Sequence, residues 1–151
     1  MIDVRPMKAE DMLWVMTHGL KERNLRFDTN EETYKAAKER EESGMCVTGW
    51  IDGQPECVAG IDIMWEGVGD VWLMITPFID NHVKESYKCI RKGLKKLIKD
   101  HKIRRLQSYG RVDFPECHTL FAHLGFKVEG LAKAYTSDGV DAIMYGKIYN
   151  V

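Results

Sequence analysis

Proton-carrying side chains are spread along this 151-residue chain rather than gathered in one contiguous motif. Asp62, Glu66, Asp70 and Asp113 lie within or beside extended runs, Asp113 at the end of one, where a carboxylate near the centre of a sheet can draw a proton from an ammonium group directly or through water. Among them Asp113 is the first candidate for a general base. His118, its neighbour Cys117 and Tyr109 on the preceding run are the side chains able to return a proton. A second constellation suits anions. The interval from Asp80 to Ser86 should open a helix, whose first turn presents unpaired N–H groups at the positive end of its dipole. Asn81, His82, Lys84 and Ser86 add donors or charge there, whereas Asp80 repels an anion.

The spacing of the remaining candidates argues against metal chemistry. Cys46, Cys57, Cys89 and Cys117 are far apart with no C-x-x-C pair, so they read as reduced thiols used in packing. His118 and His123 lie five residues apart, which places them on different faces of one helix, and no third ligand accompanies them; no metal is expected.

These residues must be positioned by a fold of ordinary globular composition, 44% hydrophobic and 30% charged, with a length that suits a single domain over residues 1–151. The longest apolar stretches fall far short of the roughly 20 residues of a membrane span, and no basic-then-apolar leader is present, so a cytoplasmic protein without a membrane partner is expected.

Periodicity supplies the elements. Ile2 and Val4 up to Pro6 suggest a short strand, and Met12, Leu13, Val15, Met16 and Leu20 recur at helical spacing. A second helix is predicted from an N-cap at Asn30 to a stop at Ser43-Gly44. Three strands follow, over 45–51, 57–65 and 71–76, the first two joined by the hairpin signal Asp52-Gly53. A long helix starts at Asp80 or Asn81 and runs to about Lys102, carrying apolar residues at Val83, Tyr87, Ile90, Leu94, Leu97 and Ile98. Leu106 to Val112 reads as a strand, Pro115 to Gly125 as a short helix, and 126–135 with 142–149 as a closing antiparallel pair. The order β-α-α-β-β-β-α-β-α-β-β demands one parallel pairing, and therefore a mixed sheet in an α/β (α+β) fold.

That order resembles the GNAT (GCN5-related N-acetyltransferase) superfamily, and three segments strengthen the likeness. Val4-Arg5-Pro6 followed by Glu10-Asp11 is similar to the family's opening strand and helix start. Leu120-Phe121-Ala122-His123-Leu124-Gly125-Phe126, continuing to Gly130, resembles the L-Y-x-x-x-G-F-x-x-x-G segment. Tyr135 to Asp141 with Met144 resembles the final hairpin. The chain also resembles GNAT-like proteins of tailed bacteriophages and prophages, in which the glycine loop is commonly eroded.

The resemblance implies acetyl-CoA as co-substrate and direct attack by an amine, without a covalent enzyme intermediate. It assigns thioester polarisation to the backbone N–H groups of Ile75 and Thr76, and diphosphate binding to the helix start at Asn81, His82, Val83, Lys84 and Ser86. It also places Phe121 against the cofactor, where the family's tyrosine protonates the departing thiolate. Two departures stand out. The Q/R-x-x-G-x-G/A loop is absent, so side chains occupy positions where glycine would let a diphosphate approach the backbone. Phe121 carries no transferable proton, which turns attention to His118, with Asp113 as base.

Although the net charge is only −1, Lys84 to Arg105 contains seven lysines and three arginines against Glu85 and Asp100. A solvated helix face accounts for this excess, with CoA phosphates as the alternative. Nucleic acid is disfavoured because Tyr87 falls on the apolar side rather than interleaving with the charges. Two functions follow as expectations: an N-acetyltransferase acting on an unidentified amine, or a catalytically inactive GNAT-like binding or assembly component. A homodimer remains open in either case.

Overall fold

The computed structural model describes residues 1–26 and 28–150. Its elements are β1 (Asp3–Pro6), α1 (Ala9–His18), α2 (Glu31–Ser43), β2 (Cys46–Ile51), β3 (Gln54–Trp65), β4 (Val68–Ile75), α3 (Val83–Asp100), β5 (Arg105–Arg111), α4 (Pro115–His123), β6 (Lys127–Ala132) and β7 (Ala142–Ile148). This is the order expected from the sequence. Two 3₁₀ turns, Lys21–Arg23 and Pro77–Asn81, are too short to leave a periodic signal.

Local chemistry sets most of the boundaries. The Asn30 side chain accepts from the Thr33 N–H at 3.0 Å, and Gly44 takes the left-handed conformation (φ 71°) that ends α2. Asp52 and Gly53 both have positive φ, 50° and 79°, as the tight hairpin between β2 and β3 requires. The start of α3 differs from expectation. Pro77 initiates a 3₁₀ turn through Asn81, and His82 keeps a non-helical backbone, so the helix proper begins at Val83. The closing strand over 126–135 is also shorter, ending at Ala132 where Ala134 turns into positive φ.

The seven strands form one sheet ordered β1-β2-β3-β4-β5-β7-β6, in which only β4 and β5 are parallel. Strand alternation divides its side chains between two cores. On one face Val58 and Met74 pack with Met12, Val15 and Met16 of α1 and with Ala37 of α2. On the other, Ile61, Leu106 and Tyr145 pack with Leu94, Leu97 and Phe121 of α3 and α4. No residue of α3 is fully buried, because only one stripe of the helix touches the sheet and its basic side faces water. Ile51, Ile75 and Ile79 form a third cluster at the C-terminal end of β4.

Candidate functional site

The parallel pair opens after three residues. Val68, Gly69 and Asp70 pair with Arg105, Leu106 and Gln107, and no register continues beyond them. At the parting point the Ser108 hydroxyl donates to the Val71 carbonyl at 2.6 Å, a side chain standing in for a ladder bond. Each strand keeps its outer partner, Ile75 opposite Cys57 on β3 and Arg111 opposite Ala142 on β7, so the two inner edges diverge into a cleft. Ile75 directs its N–H into this cleft, and the two-residue period of a strand turns Leu73 the same way.

A short segment before α2 spans the open end of the cleft. The buried Asn24 carboxamide accepts from the Ile75 N–H at 3.3 Å and donates to the Ile75 carbonyl at 3.4 Å. Its own backbone carbonyl accepts from Arg111 Nη1 on the opposite wall at 3.2 Å. Leu25 C=O accepts from the N–H and hydroxyl of Ser137, in the loop between β6 and β7, at 3.0 and 3.2 Å. Arg23 pairs with Asp80 at 2.5 Å, which neutralises the carboxylate that would repel an anion at the start of α3. Arg111 is only 2% exposed, and its burial is offset by paired hydrogen bonds to both Asp113 and Asp138.

Beside the cleft the first turn of α3 remains open. The Ser86 N–H closes the first helical bond on His82 C=O at 2.9 Å, leaving the N–H groups of Val83, Lys84 and Glu85 without an intrahelical acceptor. Asp80, Asn81, His82, Val83, Lys84 and Glu85 line a depression of about 390 Å³ in front of them. Phe78 is 62% exposed and does not fill it. The Glu85 carboxylate is engaged by the Ile2 N–H at 2.8 Å, and the Ser86 hydroxyl donates to His82 C=O at 2.7 Å. Lys84 is exposed and forms no ion pair among the described residues.

The two backbone donors proposed for the thioester are already engaged. Ile75 N–H serves Asn24, and Thr76 N–H serves Glu56 C=O at 3.0 Å, with the Thr76 hydroxyl on the Glu56 carboxylate. The sequence candidates for proton transfer are dispersed. Asp113 is clamped by Arg111, which holds its carboxyl below the usual range and weakens it as a base. His118 Nε2 lies 2.8 Å from Arg111 C=O and therefore carries a proton, while Nδ1 meets the Tyr145 hydroxyl; both ring nitrogens are in use. Phe121 stacks on Tyr145 at 4.3 Å and belongs to the second core. Burial pushes the Cys117 thiol up to about 12. Tyr109 stacks on Tyr135 at 4.4 Å. Glu66 lies in the exposed turn between β3 and β4.

Asp70 differs from all of these. It stands directly opposite Asp62 in the β3–β4 register, at the last paired position before the cleft. Asp62 is satisfied by Arg40, through Nε at 3.1 Å and Nη2 at 2.8 Å, and by Trp72 Nε1 at 3.2 Å. Asp70 has one oxygen, Oδ1, that is buried with no hydrogen-bond partner among the described residues. Burial raises its pKa, the Asp62 charge adds to the effect, and a hydrogen bond from Gln107 opposes it. Asn24, Gln107, Ser108 and Arg111 were invisible as site residues in the sequence, because none belongs to a local motif.

Comparison with known proteins places this geometry in a fold. No protein-family profile and no curated protein sequence matches the chain. Solved structures do. A GNAT-family acetyltransferase from Bacillus anthracis superposes with a TM-score of 0.68 at 13% identity, over 96% of this chain and 93% of that one. The ribosomal-protein-S18-alanine N-acetyltransferase from Escherichia coli superposes with a TM-score of 0.68 at 17% identity, over 100% and 96%. A chain of the NatC complex bound to Gag peptide and CoA gives 0.76 at 11% identity, over 99% of both. The chain has the GNAT acyltransferase fold.

Proposed function

We propose that the protein transfers an acetyl group from acetyl-CoA to an amine, with Asp70 as the group that takes the proton. One observation carries the reading. The cleft between β4 and β5 opens immediately after a carboxylate that is partly desolvated and lacks a partner for one oxygen.

The residues around the cleft fit the co-substrate. The free N–H groups of Val83, Lys84 and Glu85 and the Lys84 ammonium would hold its diphosphate, and the inner edge of β4 at Leu73 would pair with an amide of its arm. An ammonium acceptor entering beside Asp70 gives up one proton to that carboxylate. The free amine attacks the thioester carbon, a C–N bond forms, and the C–S bond breaks. The thiolate leaves with the electron pair and takes up, through water, the second proton, which the nitrogen sheds on becoming an amide. An alkyl thiol ionises near pH ~8.5, so departure needs no strong acid, and a phenylalanine at position 121 is compatible with turnover.

A second reading, a binding component without catalysis, is favoured by a different observation. The Asn24 carboxamide occupies both backbone groups of Ile75, and Val83 and Glu85 bring side chains to the helix start in place of glycine. Release of free thiol from acetyl-CoA across a panel of primary amines separates the two. Turnover that is lost in Asp70→Asn supports the enzyme with this base. Turnover retained in that variant removes Asp70 from the role, and no turnover with any amine favours the binding component.

A further inference from the structure

We propose that a basic groove between α3 and α4, separate from the acetyl-transfer cleft, binds an acidic amphipathic peptide segment of a partner protein. The groove encloses about 1170 Å³ and runs along α3 from Tyr87 to Lys99 and on to Lys102 in the next turn, closed on its far side by the end of α4 and the end of β7. Arg91, Lys95 and Lys99 line it at steps of four residues, which sets them on one stripe of the helix, and Lys102 joins them from the turn that follows Asp100. None of the four forms an ion pair among the described residues, and no described carboxylate lines the groove. Like charges at this spacing repel one another, and carboxylates brought by a ligand relieve that repulsion.

The floor identifies the rest of the ligand. Leu94, Ile98 and Leu124 are half-buried at its base, so an occupant must supply apolar side chains as well as acidic ones. Lys147 is committed to the protein itself, donating to Leu124 C=O at 2.7 Å and lying 5.0 Å over the Tyr149 ring. That contact covers one face of Tyr149, while Tyr87 makes an edge contact with His123 at 6.2 Å. Two tyrosine rings, each already touching a neighbouring side chain, make no run of platforms for stacked bases, and lysines outnumber arginine, which favours a peptide over a nucleic acid. From Arg91 to Lys99 the helical stripe spans about 12 Å, or roughly two turns of a docked helix. Its centre, Lys95, lies roughly 18 Å along α3 from the helix start, the end that faces the cleft.

The test is fluorescence anisotropy with a labelled twelve-residue peptide in which Leu recurs at helical spacing among Glu residues, a Glu→Gln version of it, and a twelve-nucleotide oligothymidylate. The acidic peptide is expected to saturate, to weaken as salt rises, and to lose roughly tenfold in affinity in a Lys95→Gln, Lys99→Gln, Lys102→Gln protein that still melts as the wild type does. Failure to saturate at millimolar protein would overturn the proposal, as would equal binding of the Gln version or tighter binding of the oligonucleotide. Displacement of the peptide by saturating acetyl-CoA would also overturn it, by assigning the groove to the co-substrate.

Discussion

Asp70 and Asp62 face each other across β3 and β4, yet among the described residues only Asp62 forms an ion pair: Arg40 neutralises one carboxylate and leaves the other beside it. Like charges placed directly opposite are unfavourable on a sheet, so the pair is kept at a cost that packing alone does not explain.

The first prediction concerns Asp70 and pH. Its folded-state pKa is raised, so the native protein binds this proton more tightly than the unfolded chain does. The associated stability is fully present below the unfolded pKa, near ~3.9, and is lost as pH rises through the folded value. Asp70→Asn should therefore melt at a higher temperature than wild type at neutral pH, with the difference vanishing in acid. The same substitution should lower kcat/KM by about 10²-fold or more, and the wild-type rate should rise with pH through a point above the ordinary carboxylate range. Thermal melts and pH–rate profiles of the two proteins measure both effects.

Asn24→Ala should remove the partner of both Ile75 backbone groups while sparing the Asn24 carbonyl that receives Arg111. Exposing a buried donor costs about 1–3 kcal/mol. The variant should melt lower than wild type and be rescued more strongly by saturating acetyl-CoA, whose arm amides can take the vacated edge. An equal ligand-induced shift in the two proteins would show that the arm never reaches Ile75.

Asp138 governs the acid limb. Arg111, and then the Thr136 hydroxyl, hold its carboxyl well below the usual range. A depressed folded value contributes stability above the unfolded pKa, near ~3.9, and that contribution disappears as pH falls. Melting temperatures of Asp138→Asn should accordingly fall less steeply than those of wild type below pH ~4.

Lys84→Gln removes an unpaired cation from the depression at the start of α3 without touching a hydrogen bond. Acetyl-CoA affinity should drop about three- to fivefold at low salt, and the difference should shrink as salt is added.

Much of this architecture is legible in the sequence because it is written in short-range chemistry. Asn30 and Gly44 bound α2, Asp52-Gly53 fixes a hairpin, and the apolar stripe of α3 gives the long helix. The site was less legible. Asp70 was one carboxylate among several, and its distinction lies in facing Asp62 across a register that no single strand encodes. Asp113 is well placed by position at the end of β5, but the arginine two residues earlier turns inward and claims it. Asn24 and Ile75 are 51 residues apart, a separation at which composition and periodicity carry no information.

Calorimetric titration with acetyl-CoA, using desulfo-CoA and ATP as controls, shows whether the β4–β5 cleft takes the co-substrate. Saturable micromolar binding of acetyl-CoA and desulfo-CoA is expected, with weaker binding of ATP because it lacks the arm that lies in the cleft. Absence of heat and of any thermal shift at millimolar acetyl-CoA would contradict this expectation, and would leave a GNAT fold whose cleft is closed by Asn24.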